Sequence, residues 1–411
     1  MKIGIDASFL RKPGTGIGQV TVCFLEKLAG FSVQGGVGKS WQFLSGLHDA
    51  EIILYTEEPI DAHLAESFTV RSFLPAWWKR DDVIRKMLWE RQVAREAAKD
   101  GCDAFISLYQ SATVFHGARS MEHGAREPQH LMVVHDIIPK LFPEYLRKVS
   151  QRIHWRAIER GIRGAGHIVA ISESTKKDLM ENLGIAEEKI SVAHPGLSPA
   201  FDHVADDANV DLVMQKYHLD RGYIYHGGGL EVRKNTRAVL EAYGSLCDKF
   251  PISNFQFPNK SENLNFKIPK LVISGRIHAK SNPLALDAKG LIKELRLEEN
   301  VKLLGFVPDE DLPALYRGAA LFAYPSLYEG FGLPPLEAMS QGTPCIVSDV
   351  SSLPEACGDA ALYVDPTNAD LIAEKMSLLL RDAELRKELC EKGMLQAKKF
   401  GWAGFVKAVM Q

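Results

Sequence analysis

Short apolar segments alternate with longer amphipathic segments along almost the whole chain, and no other feature of the sequence constrains the fold as strongly. A short apolar run between polar residues is typical of a buried strand, and a longer amphipathic run is typical of a helix. Strand, helix and strand in succession form β-α-β units with a parallel sheet. Because 411 residues exceed one ordinary core, the alternation predicts two such domains in tandem.

The break between the two series comes at His194-Pro195-Gly196 and the polar stretch that follows it. Domains are therefore predicted over 1–197 and 198–397, with a helical segment over 398–411. The predicted strands of the first domain are Lys2–Ile5, Glu51–Tyr55, Ala104–Leu108, Leu131–Val134, His167–Ile171 and Ile190–Val192. Those of the second are Tyr223–His226, Lys270–Ser274, Val301–Leu304, Ala320–Tyr324, Cys345–Ser348 and Ala361–Val364. A surface loop rich in Asn, Ser and Pro is expected at Pro251–Lys267.

Charge and cysteine content exclude several classes of function. A net charge of −3 gives no basic footprint for nucleic acid. The six cysteines are scattered without a C-x-x-C pair, which argues against a zinc site or a disulfide framework. No apolar run is long enough to span a membrane, and Met1–Asp6 alternates like a strand rather than a signal peptide. A cytoplasmic protein is expected.

The segment Arg71–Lys99 carries eight basic and four acidic residues, together with Trp77, Trp78 and Trp89. Two interpretations remain open at this point. A basic helix with tryptophans can lie on an anionic bilayer, which would give a cytoplasmic protein peripheral contact with the inner face of the membrane. The same pattern also fits a helix that faces the core and carries a solvated charged side.

The most informative stretch is Tyr324–Thr343, YPSLYEGFGLPPLEAMSQGT. A strand ends at its start, a glycine loop containing Glu329 follows, and Pro334-Pro335 begin a helix that contains Glu337. Backbone amides of a glycine loop beside a helix N-terminus suit a phosphate group. Two glutamates with such a loop suit a ligand that carries both hydroxyls and phosphates.

This stretch, with seven residues between the glutamates, resembles the nucleotide-sugar motif of the retaining family-4 glycosyltransferases. The resemblance extends over nearly all of 271–396 and more loosely over the rest. It implies the GT-B fold, an α/β architecture of two Rossmann-like, doubly wound parallel-sheet domains that face a central cleft. The N-terminal domain would bind the acceptor, the C-terminal domain would bind the nucleotide sugar, and the terminal helix of 398–411 would cross back to the N-domain.

The resemblance also implies roles for single residues of the motif. Glu329 would bind sugar hydroxyls and act in catalysis, and Glu337 would bind the ribose hydroxyls. The backbone amides of Phe331, Gly332 and Leu333 would approach the diphosphate and the sugar. These roles fit the chemistry, since carboxylates accept from hydroxyls and amides donate to anionic oxygens.

A second glycine turn, HGGGLEVRKN, follows the strand Tyr223–His226. It resembles the turn in which the family clamps the leaving diphosphate with an arginine and a lysine. Gly228 and Gly229 would allow close backbone approach, and Lys234 falls on the family lysine. Gly229 stands where the arginine is usual, so Arg233 or a group elsewhere would supply the second charge. A glycine turn whose Arg and Lys simply face water is the alternative.

Gly305-Phe306-Val307-Pro308 follows the strand Val301–Leu304 and resembles the segment whose backbone contacts the nucleobase, which makes Phe306 and Val307 donor-binding candidates. Asp309-Glu310-Asp311 has the form of a D-x-D metal motif. We interpret it as N-capping and dipole complementation of the following helix and predict no metal site.

The N-terminal half is less explicit. Its GTGIG loop lacks the G-x-G-x-x-G spacing of a dinucleotide site. In the family this loop lies beside the donor sugar, which makes Gly16 and Gly18 candidates. His135 closes a strand at its carboxyl end, and by resemblance its carbonyl and ring would support developing positive charge. Asp136, Tyr109 and Gln110 are candidates for acceptor contacts.

The predicted reaction is transfer of a hexose from a nucleoside-diphosphate sugar, with retention, to a glycan or lipid-linked glycan acceptor, without a metal or other cofactor. Val134–Pro139 and Phe142–Tyr145 look most like bacterial polysaccharide mannosyltransferases, which favours GDP-mannose over UDP-glucose or UDP-N-acetylglucosamine. A sugar-nucleotide 2-epimerase or hydrolase on the same fold, and a non-catalytic sugar-nucleotide-binding scaffold, are the alternatives.

Overall fold

The chain forms two compact units, each built around its own parallel sheet. The computed structural model describes residues 1–35, 38–41, 50–57, 60–73, 83–115, 127–249, 268–276 and 282–411. One unit comprises Met1–Ser198 and Phe400–Gln411, and the other comprises Pro199–Lys399. The predicted fold class of two Rossmann-like, doubly wound domains is confirmed. The predicted loop at Pro251–Lys267 lies outside the described residues.

The first unit contains a seven-stranded sheet and a separate hairpin. Its strands are β1 (Lys2–Asp6), β2 (Ser32–Gly35), β3 (Gly38–Trp41), β4 (Glu51–Tyr55), β5 (Thr69–Arg71), β6 (Ala104–Ser107), β7 (Gln129–Val134), β8 (His167–Ala170) and β9 (Ile190–Val192). Its helices up to Ser198 are α1 (Gly16–Ala29), α2 (Ala62–Ser67), α3 (Val83–Lys99), α4 (Ile138–Leu141), α5 (Val149–Gly164) and α6 (Glu173–Leu183). The sheet order is β5-β4-β1-β6-β7-β8-β9, and β2 pairs with β3.

The second unit contains a six-stranded sheet of order β12-β11-β10-β13-β14-β15. Its strands are β10 (Tyr223–His226), β11 (Leu271–Ser274), β12 (Val301–Gly305), β13 (Ala319–Tyr324), β14 (Cys345–Ser348) and β15 (Ala361–Val364). Its helices are α7 (Asp207–Tyr217), α8 (Thr236–Lys249), α9 (Ala288–Glu294), α10 (Leu312–Gly318), α11 (Leu333–Ser340), α12 (Leu353–Cys357), α13 (Ala369–Arg381) and α14 (Ala383–Ala397).

The last helix, α15 (Trp402–Met410), packs on α1 within the first unit. Phe405 is buried, and its ring meets that of Phe24 edge-on at a centroid distance of 6.2 Å. The indole nitrogen of Trp402 donates to the carbonyl oxygen of Leu197 at 2.6 Å. A Cβ on Gly196 would lie 2.7 Å from the backbone nitrogen of Trp402, so only glycine fits there. The break at His194-Pro195-Gly196 is therefore also the place where the C-terminal helix docks.

The central strands were predictable because they are buried on both faces. Met132 and Val134 of β7 pack with Trp155 and Ile158 of α5, and Ile224 of β10 belongs to the core of the second unit. Such strands form continuous apolar runs. The sequence patterns do not predict β2, β3 or β5. The edge strand β5 has only three residues, none of them fully buried, and therefore shows no apolar run.

Candidate active site

The carboxyl ends of β10 and β13 lie side by side in the second sheet, at the point where the strand order reverses. From β10 the chain continues outward to β11 and β12, whereas β13 begins the series on the other side. In register, Ile224 of β10 lies between Leu271 of β11 and Leu321 of β13. Ligands of open α/β sheets bind outside the strand ends at such a reversal. Both motif loops, one after His226 and one after Tyr324, begin at this point.

Glycines of the first loop allow two backbone segments to touch. Gly228 and Gly229 have φ angles of 87° and 109°. A Cβ on Gly275, which follows β11, would lie only 2.8 Å from the Cα of Gly229. A Cβ on Gly229 would meet no neighbouring atom within 4 Å, but the positive φ of this position disfavours any L side chain, an arginine included. The departure from the family arginine therefore agrees with the local backbone.

Glu329 is the centre of a buried ion cluster in the second unit. Its Oε1 and Oε2 lie 2.9 and 3.1 Å from the Nζ of Lys234, and Oε2 accepts from Nη1 of Arg233 at 2.8 Å. The hydroxyls of Ser326 and Tyr324 donate to Oε1 at 2.6 and 2.9 Å. The alternative in which both basic side chains face water is wrong, because they converge on this one carboxylate.

The two cations keep Glu329 ionised. Burial by itself raises the pKa of the Glu329 carboxyl, but Lys234 and Arg233 outweigh burial and lower that pKa to about 2. Arg233 also donates to the carbonyl oxygen of Tyr328 at 2.9 Å, and its side chain is only 14% exposed. In the free protein, the charge of Arg233 is therefore directed at Glu329. Its predicted role at a diphosphate stays a prediction.

Asn235 fixes the turn that presents both basic side chains. It adopts a left-handed conformation with φ of 60° directly after the 3₁₀ turn Val232–Lys234. Its side-chain amide donates to the carbonyl oxygens of Pro325 and Pro366 at 2.9 and 2.7 Å. Because Pro325 belongs to the loop after β13, Asn235 ties the two motif loops together.

Glu337 lies in α11, which begins directly after the glycine loop. Tyr316 of α10, which is fully buried, donates its hydroxyl hydrogen to Oε2 of Glu337 at 3.1 Å. Burial raises the pKa of the Glu337 carboxyl to about 7, although the bond from Tyr316 opposes the shift. This carboxyl is therefore poised to ionise near neutral pH, in contrast to Glu329.

Two serines hold the loop between the glutamates in shape. Ser352 donates to the carbonyl oxygens of Glu329 and Phe331 at 2.9 and 2.6 Å. The Oγ of Ser351 accepts from the backbone nitrogen of Glu329 at 3.0 Å. Gly332 has φ of 123°, and a Cβ there would lie 2.9 Å from a methyl group of Leu353. The roles predicted for the amides of Phe331, Gly332 and Leu333 stay predictions.

The segment after β12 presents an exposed aromatic ring. Phe306 is 59% exposed, and the guanidinium of Arg276 lies 6.0 Å from its ring centroid. Val307 is buried. The capping role that we predict for Asp311 is wrong: its side chain makes no cap bond, and its Oδ2 instead lies 2.6 Å from both the Nζ of Lys216 and the hydroxyl of Tyr217.

The glycine loop of the first unit is the first turn of a helix. α1 begins at Gly16, and the side chain of Thr15 accepts from the backbone nitrogen of Gly18. A Cβ on Gly18 would lie 1.8 Å from the carbonyl oxygen of Lys12, so chain packing alone requires this glycine. A Cβ on Gly16 would meet nothing within 4 Å. Of the two predicted donor contacts, only Gly16 lacks an explanation from packing.

His135 is buried at the carboxyl end of β7 in a defined tautomer. Its Nε2 donates to the carbonyl oxygen of Leu108 at 2.8 Å, and burial lowers the pKa of the imidazole. The ring is therefore neutral, with its proton on Nε2. Its carbonyl oxygen accepts from the hydroxyl of Thr175 at 3.1 Å, and its backbone nitrogen donates to Oε1 of Gln110 at 3.3 Å. Asp136 accepts from the backbone nitrogen of Ile138 at 2.9 Å.

The predicted contact of Tyr109 with an acceptor needs correction. This side chain is 1% exposed, and its hydroxyl donates to Oδ2 of Asp6 at 3.0 Å. Trp89 donates to the same carboxylate at 3.1 Å, and the backbone nitrogen of Ser8 does so at 3.1 Å. Burial raises the pKa of Asp6 to about 6. Tyr109 therefore belongs to a buried polar cluster, because the end of β1 carries a carboxylate that needs donors.

Trp89, in the segment 71–99, belongs to the same buried cluster through its bond to Asp6. Trp89 is 1% exposed, and its ring stacks on Phe73 at a centroid distance of 4.5 Å. For this tryptophan the core-facing interpretation is correct. Trp77 and Trp78 lie outside the described residues. Among the described helices, none combines the length and the apolarity needed to cross a bilayer. The predicted cytoplasmic location stays a prediction.

Sequence reasoning missed three side chains that shape the second site: Tyr324, Ser326 and Tyr316. Tyr324 is the last residue of β13 and Ser326 follows two residues later, and the carboxyl end of a strand by itself marks candidates in a parallel sheet. Tyr316 lies on α10, 21 residues before Glu337, and no local sequence pattern predicts their contact.

Comparison with known proteins places the chain in a family. Residues 215–396 match the family model of glycosyl transferases group 1, and residues 35–201 match the model of glycosyltransferase family 4. The chain is 34% identical over 270 residues to the O-antigen chain mannosyltransferase B of Escherichia coli, covering 65% of each chain. It is 31% identical over 282 residues to the serotype-specific mannosyltransferase WbdA of Escherichia coli, covering 66% of this chain and 31% of that protein.

The crystal structure of WaaG, a glycosyltransferase involved in lipopolysaccharide biosynthesis, matches with a TM-score of 0.67 at 15% identity, covering 97% of this chain and 95% of that chain. The chain thus spans 65% of the first of these mannosyltransferases and 31% of the second. It belongs to the family-4 glycosyltransferases and has the GT-B fold, so the resemblance seen in the motif is confirmed.

Proposed function

We propose that this chain is a retaining glycosyltransferase that moves a hexose from a nucleoside-diphosphate sugar to a glycan or lipid-linked glycan. The observation that carries the proposal is the buried ion pair of Lys234 with Glu329, which joins the two motif loops at the strand-order reversal of the second sheet, with Glu337 on the helix that follows. Two cations and one carboxylate on buried loops suit a diphosphate next to a sugar, and a second carboxylate suits a ribose.

Binding of the donor would exchange partners within the ion cluster. Lys234 and Arg233 now neutralise Glu329 at 2.9 and 2.8 Å. A diphosphate carries more charge than a carboxylate and offers more acceptor oxygens, so it competes for both cations. Glu329 would then be released to accept from sugar hydroxyls. After the exchange both cations would face the diphosphate, and the Glu329 carboxylate would be stabilised by hydrogen bonds from the sugar hydroxyls.

The proposed chemistry is an internal return. The bond between C1 of the sugar and the diphosphate oxygen breaks, and its electron pair goes to the diphosphate. The acceptor hydroxyl oxygen then bonds to C1 on the same face, and its proton passes to a diphosphate oxygen. Positioning and fixed charges would supply the catalysis, with Lys234 and Arg233 stabilising the departing charge and His135 supporting the developing positive charge.

GDP-mannose is the proposed donor, and UDP-glucose and UDP-N-acetylglucosamine are the next candidates. The mannosyltransferase names of the two relatives support the sugar. We further propose that transfer needs no metal, because the two cations already oppose the leaving charge. Activity that persists in excess chelator would agree with this, whereas activity that returns only with added Mg²⁺ or Mn²⁺ would contradict it.

The experiment that tests the proposal has a binding part and a transfer part. Thermal stabilisation by GDP-mannose, UDP-glucose, UDP-N-acetylglucosamine, GDP and UDP is measured on the wild type, Glu337→Ala, Lys234→Ala and the exposed control Lys387→Ala. We expect either the guanosine or the uridine nucleotides to stabilise the wild type and the control. The same nucleotides should stabilise Glu337→Ala and Lys234→Ala only weakly. A wild type that no sugar nucleotide stabilises would refute the donor site.

Transfer is measured separately with the stabilising donor and mannose-containing oligosaccharide acceptors, by mass spectrometry of the products. Formation of an elongated glycan supports the transferase. Sugar or nucleoside diphosphate released at the same rate without an acceptor would assign a hydrolase or 2-epimerase. Binding without any turnover on a broad acceptor panel would assign a scaffold.

A further inference from the structure

Two neighbouring helices of the first unit expose large apolar side chains at the same end. On α3, Ile84 is 62% exposed, Met87 37% and Leu88 41%. On α5, Val149 is 62% exposed and Ile153 52%. These five are nearly half of the eleven large apolar side chains that are exposed among the described residues. Scattered exposure is ordinary, but a cluster marks a surface that binds something.

The relative position of the two groups follows from the fold. The strands that flank α3 and α5 are parallel, so both crossover helices run antiparallel to them and parallel to each other. A buried bond of 2.7 Å between Nε2 of His154 and Oε2 of Glu90 fixes their register. Ile84 precedes Glu90 by about 9 Å of helix rise, and Val149 precedes His154 by about 7.5 Å. The two apolar groups therefore lie at about the same height along the two neighbouring helices.

Exposed arginines lie at helical spacing from these apolar side chains on the same two helices. They are Arg91 and Arg95 on α3 and Arg152, Arg156 and Arg160 on α5. Within the described parts of the chain, no carboxylate pairs with any of the five. Two carboxylates on the same helices already have other partners: Glu96 pairs with Lys99 at 3.0 Å, and Glu159 pairs with Lys140 at 3.4 Å. The surface therefore combines apolar and positively charged groups, and we call these ten residues the basic apolar face.

We propose that the basic apolar face docks the protein on the surface of an anionic lipid bilayer. Apolar side chains would enter the boundary between headgroups and acyl chains, and the arginines would contact lipid phosphates. Charge complementarity favours this occupant. A second copy of the same face would bring five arginines against five arginines, which like-charge repulsion opposes. A nucleic acid would use the arginines but not the apolar side chains.

This docking site coincides only in part with the contact expected of the segment 71–99, because only its half on α3 lies in that segment. The buried Trp89 takes no part, and half of the face comes from α5, which the sequence analysis does not assign to a membrane. Docking does not depend on the proposed reaction, because lipid binding is measured without any donor. It would place an enzyme that uses a lipid-linked acceptor at the surface where that acceptor resides.

The test is co-sedimentation of the full chain with vesicles of phosphatidylcholine containing about a third phosphatidylglycerol, and with pure phosphatidylcholine. Ile84→Glu combined with Ile153→Glu should lower partitioning to the anionic vesicles by about tenfold or more. Arg152→Gln combined with Arg156→Gln should lower it by about fivefold per arginine, and the effect should shrink in high salt. Leu212→Glu, at an equally exposed position (65%) on α7, is the matched control and should bind as the wild type does.

Three outcomes would overturn the proposal: no binding of the wild type to anionic vesicles at low salt, equal binding of the wild type to both vesicle types, or unchanged binding of the face variants. Sedimentation equilibrium tests whether a second copy of the chain binds to the basic apolar face. A dimer that Ile84→Glu with Ile153→Glu dissociates would assign the face to self-association instead. Thermal stabilisation by GDP-mannose, measured on every variant, separates loss of lipid binding from loss of the donor site.

Discussion

The affinity for a sugar nucleotide should rise with pH through neutrality, because the ribose contact that we propose for Glu337 favours the ionised carboxylate. Burial raises the pKa of this carboxyl to about 7 in the free protein. Hydroxyl donors from a ribose favour the carboxylate over the neutral acid. Binding therefore lowers the pKa of Glu337, and a proton is released wherever the free protein still holds it. The sign follows: the dissociation constant falls as the pH rises.

The magnitude follows from the same pKa. If only the carboxylate binds, the apparent dissociation constant scales as one plus ten to the power of pKa minus pH. For a pKa near 7, this factor is about 11 at about pH 6 and about 1.1 at about pH 8. The dissociation constant should thus fall about tenfold across this range, which corresponds to about 1.4 kcal/mol. Below about pH 6 the slope approaches one decade per pH unit.

Isothermal titration with GDP-mannose across this range measures the effect. The intact sugar nucleotide is the right probe, because a free nucleoside diphosphate has a terminal phosphate that itself titrates near neutral pH. Repeating each titration in two buffers of different ionisation enthalpy measures the released protons. Glu337→Gln should bind weakly at every pH, with a flat profile and no proton release.

Tyr316→Phe provides a second test of the cause. The hydroxyl of Tyr316 stabilises the carboxylate at 3.1 Å, so its removal should raise the pKa of Glu337 further and shift the affinity profile to higher pH. A wild-type profile as flat as that of Glu337→Gln would refute the reasoning. So would a profile that slopes in both, because the titrating group would then lie elsewhere.

Further predictions concern the ion cluster and the glycine loop of the first unit. Glu329→Gln leaves two buried cations without their carboxylate and should lower the free energy of unfolding by about 3–5 kcal/mol in urea denaturation, whereas Glu241→Gln, at an exposed pair with Arg237, should change it by less than about 1 kcal/mol. Gly18→Ala should cost about 1–3 kcal/mol, because its Cβ would overlap the carbonyl oxygen of Lys12. Gly16→Ala should leave stability unchanged or slightly higher and yet weaken transfer, and full activity in this variant would remove Gly16 from the site.

Much of the fold and part of the site follow from local sequence. The strands β4, β9, β10, β14 and β15 begin and end at the predicted residues, because each is a short, mostly apolar segment between polar or turn-forming residues. The glycine loops, Glu329 and Glu337 could be recognised as candidates from the sequence for a similar reason. Backbone conformation and helix starts depend on residues only a few positions apart, so a short motif carries their signal.

Partners of the site residues do not follow from sequence in this way. Arg233 meets Glu329 across 96 positions, and Trp89 meets Asp6 across 83. The sequence places Tyr109 after a strand, where an acceptor contact is reasonable, but only the packed unit brings its hydroxyl to the carboxylate of Asp6. Such contacts arise when strands distant in sequence become neighbours in a sheet.

The sequence by itself thus determines the two β-α-β series, the motif of Glu329 and Glu337, and the family. The tertiary structure decides which charges neutralise one another, which carboxyl titrates near pH 7, and which apolar side chains of α3 and α5 remain exposed. The physical reason is that periodicity and backbone preference act between near neighbours in the chain. Burial and electrostatic interaction depend on distances in space, which exist only once the chain has packed.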